Sequence, residues 1–408
     1  MTISTTAPAR SVRPWLFFIL YLPFGGSGGF MAGALEYFYS KAGVSTAALG
    51  AVLSIALLPS VLKVFWAPLV DVTLTTKRWF VLSMAVMIPG LAATALLPPG
   101  TASLPALTAL ALLVSVSGST GAMAAESLMA HGTAPEARGA AGGWSQAGNV
   151  GGSGLGGGAG LWLAAHLHSL ALSGLVVSGS FVVFAAAILL APASTRFTSH
   201  PSYLAMLKAV AGDCWQACRS RPGLLTLLLF VLPLGSGGEA YINSAIAKEW
   251  HVGADLLAGI NWVVGLATVV AAVGGGLLCD RMDRKTAYVL FGVIGGLVAG
   301  ATALAPRTPE VFVVFVFAYS AALGLSYAAF SATTLEAIGA GAAATKYNLF
   351  ACISNIPVFI MPALDGWADT RWNGGAVMWT EFAVALGGAA LFNIVVLATR
   401  PRRALAPA

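Results

Sequence analysis

The stretch Gly275–Lys285, GGLLCDRMDRK, sets two acids and three bases within eleven residues. In the whole 408-residue chain only 9% of residues are charged, against about 25% in a soluble protein. A charge cluster this dense between two apolar runs, at about 254–279 and 287–305, reads as a short loop joining two membrane-crossing helices. Working outward, similar runs lie at about 15–39, 46–70, 79–97, 103–128, 139–165 and 169–192. Others follow at about 223–246, 309–336, 342–367 and 376–399. Each is close to the roughly 20 residues that a bilayer crossing takes. With 58% hydrophobic residues, the chain cannot cover a water-facing surface. A soluble enzyme, a nucleic-acid binder, a disordered chain and a single-anchor protein are excluded.

Twelve runs divide six and six about the longest polar stretch. The expected layout is a tail at 1–14, a bundle at 15–192, a cytoplasmic linker at 193–222, a bundle at 223–399 and a tail at 400–408. Twelve crossings put both termini on one side. With the termini inside, sixteen Lys and Arg fall in inner segments and four (Lys41, Lys248, Arg307, Arg371) in outer loops. That bias places both termini in the cytoplasm, so the net charge of +6 is a topology signal. The linker residues Tyr203, Leu207, Val210 and Cys214 follow helical spacing, which predicts either an amphipathic helix on the inner membrane surface or a solvated linker with a helical turn. Four scattered cysteines and five histidines offer no metal set and no disulfide framework. No cofactor, enzyme motif or nucleic-acid partner is expected.

The halves repeat each other. LPFGGSGG at 22–29 answers LPLGSGG at 232–238. Asp71 and Asp280 close the second run of each half, and Glu126 and Glu336 close the fourth. Basic residues follow, Arg138 in one half and Lys346 in the other. Duplicated six-helix halves are a transporter signature, with substrate held between them near the midplane.

Gly276-x-x-x-Asp280-Arg281, continuing through Arg284-Lys285, resembles the loop 2–3 signature of the major facilitator superfamily, with Asp283 where that family prefers Gly. LKVFWAPLVDVTLTTKRW, residues 62–79, is similar to the matching segment of the AmpG-like permeases. That group includes muropeptide, acetyl-CoA and RhtX/FptX siderophore permeases. The resemblance implies an all-α membrane protein of twelve helices in two pseudo-symmetric six-helix bundles, acting as a monomer on a small organic substrate. It also implies a cytoplasmic gate made by Asp71, Glu126 and Arg138 with Asp280, Arg281, Arg284, Glu336 and Lys346.

Charges inside the spans are functional candidates because each costs roughly 2.5–3.5 kcal/mol to insert. The runs leave three: Glu36, Lys63 and Glu239. Glu239 follows the second glycine cluster and is the first choice for proton coupling; Lys63 could attract an anionic substrate group or pair with a carboxylate. Gln146, Asn149, Asn243, Asn261 and Asn355 sit near mid-depth and could hydrogen-bond a substrate or another helix. Pro23, Gly25, Gly26 and Gly28, with Pro233, Gly235 and Gly237, mark two matching helix breaks that could line a binding site, or close helix packing. The glycine run 151–158 has neither the strand nor the Lys-Ser/Thr of a phosphate loop and reads as close helix contact.

The expected function is proton-driven import of a siderophore, a muropeptide or a similar polar metabolite across the bacterial inner membrane. The alternatives are a drug or metabolite exporter, and a receptor or assembly factor on the same fold.

Overall fold

The structure is a computed structural model that describes residues 11–192, 203–234, 247, 249–339 and 341–399. Inside a bilayer every backbone amide must be paired within the chain, so apolar runs of this length fold as helices. In the first half these are α1 (Trp15–Lys41), α2 (Thr46–Leu62), the short α3 (Ala67–Val72), α4 (Thr76–Leu96), α5 (Leu104–Gly132), α6 (138–167) and α7 (Leu170–Ala186). A linker helix, α8 (Tyr203–Arg219), leads to α9 (Arg221–Val231), α10 (Ala254–Cys279), α11 (Arg284–Leu304), α12 (Pro309–Ile338), α13 (Ala343–Arg371) and α14 (Gly374–Ala398).

Among the described residues nine helices are long and apolar enough to cross a membrane. The glycine-rich α6, with α9 and α10, occupies the other three expected runs. The starts are fixed by local chemistry: the side chains of Ser45, Thr75, Ser169, Ser220, Asp283, Thr308 and Asn373 each accept a first-turn backbone N–H. Such a cap is worth about 1 kcal/mol.

The expected break in α1 is absent. The helix runs unbroken from Trp15 to Phe30 with Pro23 inside it, and a π-turn follows at Met31–Leu35. Its glycines serve contact instead. A Cβ on Gly25 or Gly29 would collide with the α6 carbonyls of Asn149 or Ser153. On α6, Gly148, Gly152 and Gly156, at four-residue spacing, meet Phe18, Leu22 and Gly26 of α1. Small residues at this spacing let two backbones touch, which drives helix association where lipid supplies no hydrophobic force. Gly28 is the exception, exposed with open space around it. In the second half, α9 ends at Val231, and Pro233 lies beyond it in irregular chain. Gly235 and Gly237 lie outside the described residues.

Helix α6 also crosses to the second half. Gly139 and Gly143 sit against Gly276 of α10, and Gly142 against Ser331 of α12. The halves therefore meet along α6. They meet again along α13, which packs on α3 and α5.

Candidate substrate cavity and gate

Between the halves lies a cavity of about 610 Å³. Its walls come from α1 (Tyr21, Phe24), α2 (Ser60), α5, α6, α10, α11, α12 and α13. Gln146, Asn149 and Asn355 line it, as expected, with the aromatic rings of Tyr288, Tyr327, Phe330 and Tyr347. Asn243 lies outside the described residues, as does the side chain of Asn261.

Lys63 and Glu126 both face this cavity. Helix α2 stops at Leu62, and a 3-10 turn at Lys63–Phe65 aims the lysine inward. Its Nζ lies 3.3 Å from Glu126 Oε1, with the glutamate only 3% exposed. The other glutamate oxygen accepts from Asn348 Nδ2 of α13 at 2.6 Å. The array thus spans both halves. This corrects the gate assignment of Glu126. Helix α5 continues six residues past it to Gly132, so Glu126 stands about 9 Å inside the helix end, while Arg138 donates to the Leu335 carbonyl.

The basic residues gather at one end of the bundle, and there the halves lock. Asp71 Oδ1 accepts from the Ala344 N–H at 3.1 Å, and Oδ2 from the Thr345 N–H at 2.9 Å and its hydroxyl at 2.6 Å. Asp280 mirrors it, Oδ1 accepting from Gly139 N–H at 2.7 Å and Oδ2 from Ala140 N–H at 2.8 Å. Arg138 donates to the Leu335 carbonyl at 3.1 Å, and Arg284 to that of Pro135. His131 bonds the Gly341 carbonyl at 3.0 Å.

The remaining gate residues pair differently from expectation. Glu336 bonds Lys285 at 2.9 Å and Arg284 at 3.3 Å, within its own half. Lys346 instead meets Asp213 of the linker helix at 3.0 Å. Asp213 also accepts from the Ala342 N–H. The linker places Val210 against Val72 and Ala342, so one apolar face rests on protein. Arg281 is exposed at this end.

Glu36 does not reach the cavity. It borders a small apolar pocket with Met31, Leu49 and Leu107. Glu239 lies outside the described residues. Two further acids within helices, Asp365 and Glu381, belong with the in-span charges. Both fall near the ends of their apolar runs, where hydropathy does not separate an in-span charge from an interfacial one.

Two helical halves about a central cavity make up this fold, which solved transporters of the major facilitator superfamily share. The chain superposes on the transporter FucP in its outward conformation with a TM-score of 0.71 at 15% identity, covering 95% of this chain and all of that one. The proton:xylose symporter XylE gives 0.68 at 12% identity, covering 95% of each chain. A bacterial homologue of the iron transporter ferroportin, outward-facing, gives 0.69 at 12%, covering 95% of this chain and 100% of that one.

In sequence, the chain is 26% identical over 320 residues to the anhydromuropeptide permeases of Escherichia coli K12 and O157:H7. The match covers 75% of this chain and 64% of each permease, so the chain spans less than two thirds of those relatives. It is a distant relative of a major facilitator permease, in the group that residues 62–79 resemble. No family model matches the chain.

Proposed function

We propose that the protein is a secondary transporter that imports a polar, sugar-containing solute of the muropeptide class with protons, by alternating access. The observation that carries this reading is the buried Lys63–Glu126–Asn348 array, which joins both halves on the wall of a cavity whose basic end is bridged by hydrogen bonds between the halves. Protonating Glu126 discharges the pair and frees the Lys63 ammonium for a substrate carboxylate. Loss of that proton restores the pair and expels the anion. The aromatic faces offer stacking surfaces for sugar rings, and Gln146, Asn149 and Asn355 offer partners for hydroxyls. The volume falls in the roughly 300–1,000 Å³ range of small-molecule sites. Siderophores fit the charge of Lys63 equally, but the muropeptide reading has the support of the relatives.

In this reading the structure faces outward, with the locked basic end in the cytoplasm of a bacterial inner-membrane protein. Asp71 and Asp280 are the gate. Residues 193–222 link two six-helix bundles, and the working unit is the monomer.

The test is uptake of labelled anhydromuropeptide by proteoliposomes under an inward proton gradient. Accumulation is expected in wild type, with Glu126→Gln retaining exchange but losing accumulation. Absence of both uptake and exchange in wild type overturns the substrate class. Full accumulation by Glu126→Gln overturns the coupling role.

A further inference from the structure

Asp365 and Glu381 take no part in the cavity or the gate described above. They sit on the neighbouring helices α13 and α14, six and seven residues from the helix ends away from the basic face, about 10 Å within the spans. Asp365 is fully buried and Glu381 only 7% exposed. The two carboxyl groups lie close enough to act on each other. Among the described residues, no amide, hydroxyl or cation donates to either oxygen of Asp365 or to Oε1 of Glu381. The Tyr319 hydroxyl donates to Glu381 Oε2 at 3.4 Å.

Among the described residues, the small pocket beside Glu381 is otherwise lined by uncharged groups: Gly292, Gly295 and Gly296 of α11, Ala322 and Ser326 of α12, and Ala385 of α14. Tyr319 is a titratable neighbour of Glu381 and Asp369 lies one turn from Asp365 on α13; no Lys, Arg or His among the described residues acts on either acid. Two carboxylates so placed cannot both be ionised, and oxygen attracts oxygen here only through a hydrogen. A separate observation points the same way. Ser326 is 3% exposed, and its hydroxyl has no hydrogen-bond partner among the described residues. It lines both the small pocket beside Glu381 and the central cavity.

We propose that Asp365 and Glu381 form a proton-binding site, which holds one proton between the two carboxyl groups and exchanges it with the central cavity past Ser326. The pocket beside Glu381 measures about 10 Å³, the lower bound for a single water, so a hydrated cation does not fit. In exchange, Ser326 Oγ accepts a proton on one side and gives up its own on the other, ending neutral. The site is defined by its own geometry and holds whatever solute the cavity takes.

Infrared spectroscopy of the purified full chain in lipid bilayers at neutral pH tests this. Wild type is expected to show a protonated-carboxyl C=O band that is missing from the double variant Asp365→Asn/Glu381→Gln. Glu381→Gln alone also removes it, since the amide then donates to ionised Asp365; this second variant keeps the test valid if the double variant misfolds. Transfer to D₂O shifts the band, and Ser326→Ala slows that shift at least tenfold. An identical band in the variants overturns the site. Loss of the wild-type band on adding Na⁺ or K⁺ at fixed pH shows a metal cation in place of the proton, and also overturns it. An unchanged exchange rate in Ser326→Ala overturns the route.

Discussion

Asp71 and Asp280, 209 positions apart, each lay both carboxylate oxygens across the amino end of a helix from the opposite half. Asp71 takes the Ala344 and Thr345 N–H groups of α13, and Asp280 those of Gly139 and Ala140 of α6. A helix amino end carries unpaired donors and about half a positive charge. Each half therefore supplies the anion that completes a helix of the other. Separating the halves at this end strips both helices of their caps.

Asp280→Ala is expected to loosen this end. Loss of such a cap costs about 1–2 kcal/mol, a five- to thirtyfold shift in a two-state balance. Thiol labelling from the basic side, at a cysteine substituted for Asn355 in the cavity, should accelerate by that factor. Asp71→Ala should act in the same direction. Unchanged labelling in both variants would mean that the caps do not hold the gate.

Breaking the Lys63–Glu126 pair one partner at a time should cost more than removing both. A buried charge left without its partner costs about 3–5 kcal/mol. Lys63→Met and Glu126→Gln should each lower the melting temperature in detergent, and the double variant should recover part of the loss. A double variant as unstable as the sum of the singles would contradict the pairing.

The α1–α6 contact predicts a sharp contrast among glycines of one cluster. Gly25→Ala and Gly156→Ala force a methyl into a facing carbonyl, whereas Gly28→Ala points into open space. Overpacking of this kind costs about 1–3 kcal/mol. Folded yield by size-exclusion chromatography should fall for the first two and hold for the third.

On the linker helix, burial pushes the Cys214 thiol up to about 12, with the charge of Asp213 adding to the effect. Only the thiolate reacts. Because the folded value lies well above the free one, raising the pH from 7 to 9 leaves Cys214 protonated while a free thiol ionises. Alkylation of Cys214 at pH 8 should run at least tenfold slower than that of an unfolded control. Asp213→Asn, which removes the Lys346 partner, should speed it by loosening the linker. Equal rates for the native and unfolded protein would show Cys214 to be unprotected.

Much of the fold was legible because membrane helices answer to local rules. Run length gave the helices, and the Gly275–Lys285 cluster with its counterpart at Asp71 gave the repeat. Lys63 was singled out because a charge in an apolar run is costly wherever it points. Its partner was not legible. Glu126 stood near the apparent end of its run and looked interfacial, while α5 in fact continues through the polar His131. Asp365 and Glu381 were passed over for the same reason. Hydropathy marks where a run fades and does not register how far a helix extends.

By itself the sequence determined that the chain is a two-half helical membrane protein, since too few charges exist to cover anything else and those few repeat. Only the tertiary structure decided what each charge does. The Asp71 and Asp280 carboxylates bond to backbone amides, which every residue carries and no pattern marks. Lys63 meets Glu126 across 63 positions, and Glu126 meets Asn348 across 222. Glycines that read equally as hinges or contacts became contacts once a second backbone lay against them. Such partners are set by how helices pack, and packing is a property of pairs that a single chain segment does not contain.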